Sequence, residues 1–175
     1  MENQNSSSKQ VMLNYGLILG VVSIILSVST FALDNIYKPH WIFSALGLIA
    51  PIVVIVLGLK EFKGTNNGYL KLGEAFKVGL GIALISAVVF LIYFVLFTNF
   101  IEPEFYVRSL EVKEQTILEM YPNFTDEQLE GAMDMQKKLN TPIFITAMIL
   151  IFNLFYGFII SLIAGLIMKK TQEED

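Results

Sequence analysis

Four long stretches of the chain, residues 11–33, 41–59, 78–101 and 141–168, contain no Asp, Glu, Lys, Arg or His. An α-helix rises about 1.5 Å per residue and the hydrocarbon core of a bilayer is roughly 30 Å thick, so about 20 apolar residues suffice to cross it. The pattern predicts an all-α chain: an integral membrane four-helix bundle, a single membrane domain over residues 1–175. Thr141 as N-cap and Pro142 in the first turn mark the start of the fourth span.

The polar segments between the spans have patterns of their own. In residues 60–77 a turn at Asn66-Asn67-Gly68 is followed by Tyr69, Leu72, Ala75 and Phe76 at helical spacing, with Lys71, Glu74 and Lys77 interleaved. This predicts an amphipathic helix in the interface that runs into the third span, its lysines toward anionic lipid. Residues 102–140 form the largest extramembrane segment. Val107, Leu110, Ile117 and Leu118 predict a helix over 104–120 whose apolar face is interrupted by Lys113 and Glu114. Tyr121-Pro122-Asn123 breaks the chain, and Thr125 then offers an N-cap, Gln128 completes a capping box, and Phe124 and Leu129 form a hydrophobic staple. Asp126 and Glu127 suit the positive end of this helix and Lys137 and Lys138 its other end. An extramembrane helical hairpin between spans three and four follows.

Composition narrows the function classes. The chain is 54% apolar and 16% charged, against about 45–50% and about 25% for soluble domains, which excludes intrinsic disorder and disfavours a soluble enzyme. The lack of cysteine excludes disulfides, thiolate zinc, a thiol nucleophile and a lipoprotein anchor. A net charge of −4 offers nucleic acid no basic stripe to follow.

Orientation follows Lys and Arg. Lys9, Lys60, Lys63, Lys71, Lys77, Lys169 and Lys170 fall on the side of the termini, and Lys38, Arg108, Lys113, Lys137 and Lys138 on the other. The bias places both termini in the cytoplasm, in a bacterial inner membrane. The first span has an alternative reading as a signal peptide ending near Thr30-Phe31-Ala32, but its apolar run exceeds the usual length of about 7–15 residues, so retention is expected. Tyr37, Trp41, Phe97, Phe100, Phe105 and Tyr106 fit an aromatic belt on the outer side.

Small residues mark the faces that pack, because lipid provides no hydrophobic force between helices and close backbone approach must serve instead. Gly16, Gly20, Ser23, Ser27 and Thr30 trace a seam on the first span; Gly157, Ser161 and Gly165 trace one on the fourth. The second span offers Gly47, Ala50 and Gly58, with a kink expected at Pro51, and the third Gly79, Ala83 and Ala87. Packing within one chain is the expected use, and a substrate path or a homo-oligomer interface is the alternative. Asn14 and Asn153 are the candidate intramembrane polar contacts. Asn153, at the middle of the longest span, needs a partner because a bare amide in hydrocarbon costs several kcal/mol; a hydrogen bond to another helix, through Ser27, Ser86 or a backbone carbonyl, is expected, and contact with a permeant or a lipid headgroup is the alternative.

The spans hold no ionisable residue, so proton relays, pumps and voltage sensors are not expected. His40 is the only histidine, which excludes two-histidine metal motifs. No G-x-S-x-G elbow supports a triad from Asp34, His40 and a serine. Gly79-Leu80-Gly81 lies inside an apolar span without a preceding strand, unlike a dinucleotide fingerprint. Asp126, Glu130 and Asp134 form an acidic stripe with Lys138 next in line; a solvated face with an Asp134–Lys138 pair is expected before a cation site, since calcium wants about 6–8 oxygen ligands from converging segments. Leu129 and Met133, with Asp126 and Glu130 beside them, are the candidate partner surface. No catalytic residue, metal or cofactor is expected.

The Gly- and Ser-rich first span, residues 67–79 (Asn-Gly-Tyr-Leu-Lys-Leu-Gly-Glu-Ala-Phe-Lys-Val-Gly), the acidic helix opening at Thr125-Asp126-Glu127-Gln128-Leu129-Glu130, and the closing Met168-Lys169-Lys170 resemble the bacterial membrane family known as domain of unknown function 4199. The resemblance spans nearly the whole chain. It implies a four-span inner-membrane protein with no assigned activity and no catalytic residues to carry over. Three functions are compatible with these features: a non-enzymatic accessory or scaffold for a membrane complex, a small oligomeric channel or facilitator lined by Asn14 and Asn153, and a lipid-modifying enzyme subunit using His40 and Asp34.

Overall fold

A computed structural model describes residues 2–34 and 36–171. Helices α1 (Glu2–Ala32), α2 (Trp41–Thr65) and α3 (Leu72–Leu96) are followed by a π-helical turn (Phe97–Ile101), the extramembrane helices α4 (Phe105–Met120) and α5 (Asp126–Leu139), and α6 (Pro142–Met168). Four segments are long and apolar enough to span a membrane: Ser7–Ala32, Trp41–Thr65, Leu72–Ile101 and Pro142–Met168. The termini and the α2–α3 turn share one side, here the terminal side; the α1–α2 loop and the α4–α5 hairpin share the other, the hairpin side.

Helix α3 is the centre of the bundle. It packs most extensively on α1 and on α6, while α2 joins α1 to α6 around the ring, so α1 and α6 take opposite corners. The small residues explain the closeness. A Cβ added to Gly16 would sit 2.6 Å from Cβ of Ile85, and one added to Gly157 would sit 2.5 Å from Cβ of Ala83. Gly20 faces Val89, Gly165 faces Ala75, and Ser161 fills the space over Gly79. Gly16 and Gly20 of the α1 seam and Gly157, Ser161 and Gly165 of the α6 seam thus face α3.

Residues 60–77 do not form a separate interfacial helix. The first six continue α2, the last six begin α3, and only residues 66–71 connect them. Extending a formed helix costs less than starting a new one. The reversal is made by Asn67 (φ 53°) and Gly68 (φ 80°), a left-handed pair of the residue types that adopt it. Ala75, expected on the apolar face of an interfacial helix, is fully buried, as is Leu70. Leu70 pairs with Lys170 through two backbone hydrogen bonds of 3.0 Å, an isolated antiparallel bridge that ties the chain end to this turn. Lys63 Nζ donates to the carbonyl of Met168 at 2.7 Å, satisfying an orphan acceptor at the C-terminus of α6.

At the hairpin side the expected aromatic belt divides. Trp41 and Phe100 remain exposed, whereas Phe97 is buried against Phe31, with ring centroids 5.1 Å apart. Phe105 contacts Phe94, Phe97, Tyr37 and Tyr106. Phe97 stands one turn after the buried Phe94 on the same face of α3, and the wide π-turn that begins there is closed by Glu102 N–H donating to the Phe97 carbonyl at 2.8 Å. Helix α5 has the predicted capping box: Gln128 N–H donates to Thr125 Oγ1 at 3.3 Å and Thr125 N–H to Gln128 Oε1 at 3.0 Å. Asp134 pairs with Lys137 at 3.1 Å, one residue short of the expected Lys138.

Candidate functional site

The terminal half of the bundle is closed and the hairpin half is splayed. On α2 the buried residues are Val54, Ile55, Gly58, Leu59 and Phe62; on α6 they are Gly157, Ile160, Ser161, Ala164 and Gly165. Neither helix buries a residue in its hairpin-side half. The buried positions of the terminal half of α6 are mostly glycine, alanine and serine, whereas its hairpin-side half carries Phe144, Met148 and Phe152. A Cβ on Gly47 would meet nothing within 4 Å, so this second-span glycine opens onto space while Gly58 packs on Ile82.

The gap is a cleft of about 430 Å³, with Ser23, Ser27 and Thr30 on one wall, Ser44 and Pro51 on another and Asn153 between them. A deeper pocket of about 210 Å³ shares Gly47, Pro51 and Asn153 and ends on Leu19, Ile55 and Ala83. Below it, Leu59, Val78 and Ile82 are fully buried and fill the terminal half. Proline has no N–H, so Pro51 cannot serve the carbonyl of Gly47 one turn before it.

Asn153 does not reach another helix. Its side-chain amide donates to the carbonyl of Ile149 in its own helix at 2.8 Å, because α6 stands away from α1 and α2 at this level. Ser27 instead meets the hydroxyl of Tyr93 at 3.3 Å. Ser23 and Thr30 donate to the carbonyls of Leu19 and Ser27 at 2.9 and 2.7 Å. The hydroxyl of Ser86 is buried and unpartnered. Asn14 lies exposed on α1 and does not line this cleft. Among the described residues no charged side chain lines the cleft, so its chemistry is that of neutral hydrogen-bond donors and acceptors set in an apolar wall.

Above the cleft, Glu102 is 8% exposed at the end of the π-turn. Its Oε1 accepts from the Tyr37 hydroxyl at 3.2 Å and pairs with Arg108 at 3.1 Å. Arg108 also binds Glu104 Oε2, at 2.9 Å. Burial and the neighbouring carboxylate push the Tyr37 hydroxyl up to about 12, and the hydrogen bond to Glu104 with the charge of Glu102 raises Arg108. This knot was not legible in the sequence, which places Tyr37 and Glu102 far apart. The presence of a π-turn was equally without a local signal.

On the hairpin, Met133 is buried and Leu129 half-buried, while Asp126 and Glu130 are exposed. The apolar half of the candidate partner surface is therefore spent on packing within the protein. Among the described residues no group of three or more His, Asp or Glu converges to hold a metal ion. His40 caps α2, its Nδ1 accepting from Ile42 N–H at 3.4 Å, and its ring lies beside Trp41.

No curated protein and no solved structure matches the chain. A family model described as a protein of unknown function, DUF4199, matches residues 14–170, which takes in most of the first span, the other three, the clasp at Leu70 and Lys170 and the extramembrane hairpin. The chain belongs to the DUF4199 family.

Proposed function

We propose that the protein is a non-enzymatic accessory or scaffold of a membrane complex, placed in a bacterial inner membrane with both termini in the cytoplasm. The observation that carries this reading is the outer hairpin. It is braced on the bundle by the Tyr37–Glu102–Arg108 knot, and α5 turns Met133 inward while Asp126, Glu127 and Glu130 stand exposed. A rigid acidic face suits a partner with a basic surface. The lysine excess on the terminal side supports the orientation. The test is purification from native membranes after crosslinking: the wild-type chain brings down a defined membrane protein, and Asp126→Lys/Glu130→Lys loses it. A chain that is recovered alone in both forms overturns the reading.

The cleft favours a second reading, a small facilitator for a neutral solute or a site for a lipid chain. Its closed terminal half requires that end to open for passage, as alternating access does. Flux into liposomes that falls with Asn153→Leu supports it; flux unchanged by that substitution counts against it. A second copy of the chain remains a candidate partner through its exposed apolar surface.

A further inference from the structure

Helix α4 carries one residue that its amphipathic pattern does not explain. Lys113 lies on the same face as Val112, Thr116, Ile117 and Met120, the face turned to the outer end of the bundle. That face and the bundle enclose a groove of about 420 Å³, completed by Ile36 after α1, Ile145 in the first turn of α6, and Gln136 and Asn140 from α5. The volume lies within the roughly 300–1,000 Å³ of small-molecule sites. Among the described residues Lys113 is the only charged side chain lining it.

The other paired cations of this surface have found carboxylates: Lys38 binds Glu119, Arg108 binds Glu102 and Glu104, and Lys137 binds Asp134. Lys113 is half-buried in a segment with nine acidic residues, yet among the described residues no carboxylate comes within ion-pair distance of it. Its ammonium rests 3.5 Å from Asn140 Oδ1. Asn140 is itself 6% exposed and held in place: its amide donates to the Tyr106 carbonyl at 2.6 Å, and its Oδ1 accepts from Ser109 at 2.9 Å. The polar end of the groove is thus built and positions a cation that lacks an anion.

We propose that this groove binds a single-chain amphiphile with one carboxylate, a free fatty acid, its head on Lys113 and its chain along Val112, Ile117, Met120 and Ile36. A half-buried ammonium forms its strongest hydrogen bonds with an ionised acceptor, and Gln136 stands beside it as a neutral donor. One cation within a segment of net negative charge matches one negative charge; a multiply charged phosphate meets repulsion from the surrounding acids and lacks the planar Arg fork that suits it. The floor at Ile36 and Ile145 lies at the ends of α1 and α6, the level at which a fatty acid leaves the bilayer surface.

The test uses the full-length protein in phosphatidylcholine nanodiscs with myristate bearing a diazirine on its chain. The expected result is saturable labelling of peptides containing Ile36, Val112 or Met120, removed by excess myristate, reduced by about fivefold or more in Lys113→Gln and retained in Lys113→Arg. Myristyl alcohol, which has no charge, and lysophosphatidic acid, whose phosphomonoester is multiply charged, compete poorly. Labelling that is equal in Lys113→Gln and wild type, spreads over the lipid-facing surfaces of α2 and α6, or is displaced equally well by the alcohol or the lysolipid overturns the proposal. Ile145→Trp fills the groove from its floor, on a different helix from the one that carries Lys113, so loss of labelling there with an unchanged melting temperature separates occupancy from misfolding.

Discussion

Gly157 of α6 lies so close to Ala83 of α3 that a Cβ at position 157 would come within 2.5 Å of the alanine methyl. The two helices meet where neither has a side chain to hold them apart, and this contact marks the level at which α6 leaves the bundle toward the hairpin side. Overpacking of such a site costs about 1–3 kcal/mol. Gly157→Leu is expected to lower thermal stability in detergent by that order, whereas Gly47→Ala, which meets nothing within 4 Å, leaves the melting temperature unchanged.

Asn153 bonds to its own helix, so Asn153→Leu removes no interhelical bond. The expected stability change is at most about 0.6 kcal/mol, the average for polar contacts in such bundles. A large loss on equilibrium unfolding in mixed micelles contradicts the cleft geometry.

The Tyr37 hydroxyl sits at about 12 through burial and the Glu102 carboxylate, above its ordinary value near 10. A folded-state value above the unfolded one means that its stabilising contribution is complete below about pH 10 and is lost as pH rises toward about 12. Ultraviolet titration of tyrosinate is expected to contain one late component that Tyr37→Phe removes. An unchanged titration in the variant refutes the burial of this hydroxyl beside Glu102.

Arg108→Gln takes away the cation paired with the buried Glu102. Faster amide hydrogen exchange over residues 103–110, with the exchange of α3 unaffected, is the expected signature of a loosened hairpin. Equal protection in both proteins places the anchoring of the hairpin elsewhere.

Lys63→Met leaves the Met168 carbonyl without its side-chain donor. A loss of about 0.5–1.5 kcal/mol is expected, together with faster exchange of the amides of Leu70 and Lys170, whose pairing lies beside it. If the two amides keep their protection, the clasp holds without the lysine.

The sequence alone determined the four spans, the extramembrane hairpin, the capping of α5 and α6 and the small-residue seams. Each of these depends on interactions within a few turns of one helix or on the thickness of the bilayer, and a period of 3.6 residues reports them directly. It did not determine where α2 and α6 part, because splaying depends on which residues of one helix face which of another: Gly157 meets Ala83, while Gly47, a glycine like it, meets nothing within 4 Å. Tertiary structure also decided that the connection after α2 is a tight turn clasped by the segment after α6, that Phe97 packs on Phe31, and that Asn153 stays within its own helix. Leu70 and Lys170, like Tyr37 and Glu102 or Lys113 and Asn140, meet only through long-range folding. Local periodicity specifies which helices exist and which faces can bury; the relative depth and tilt of those faces arise from summed close contacts among all four helices, and so do the cleft and the groove they leave open.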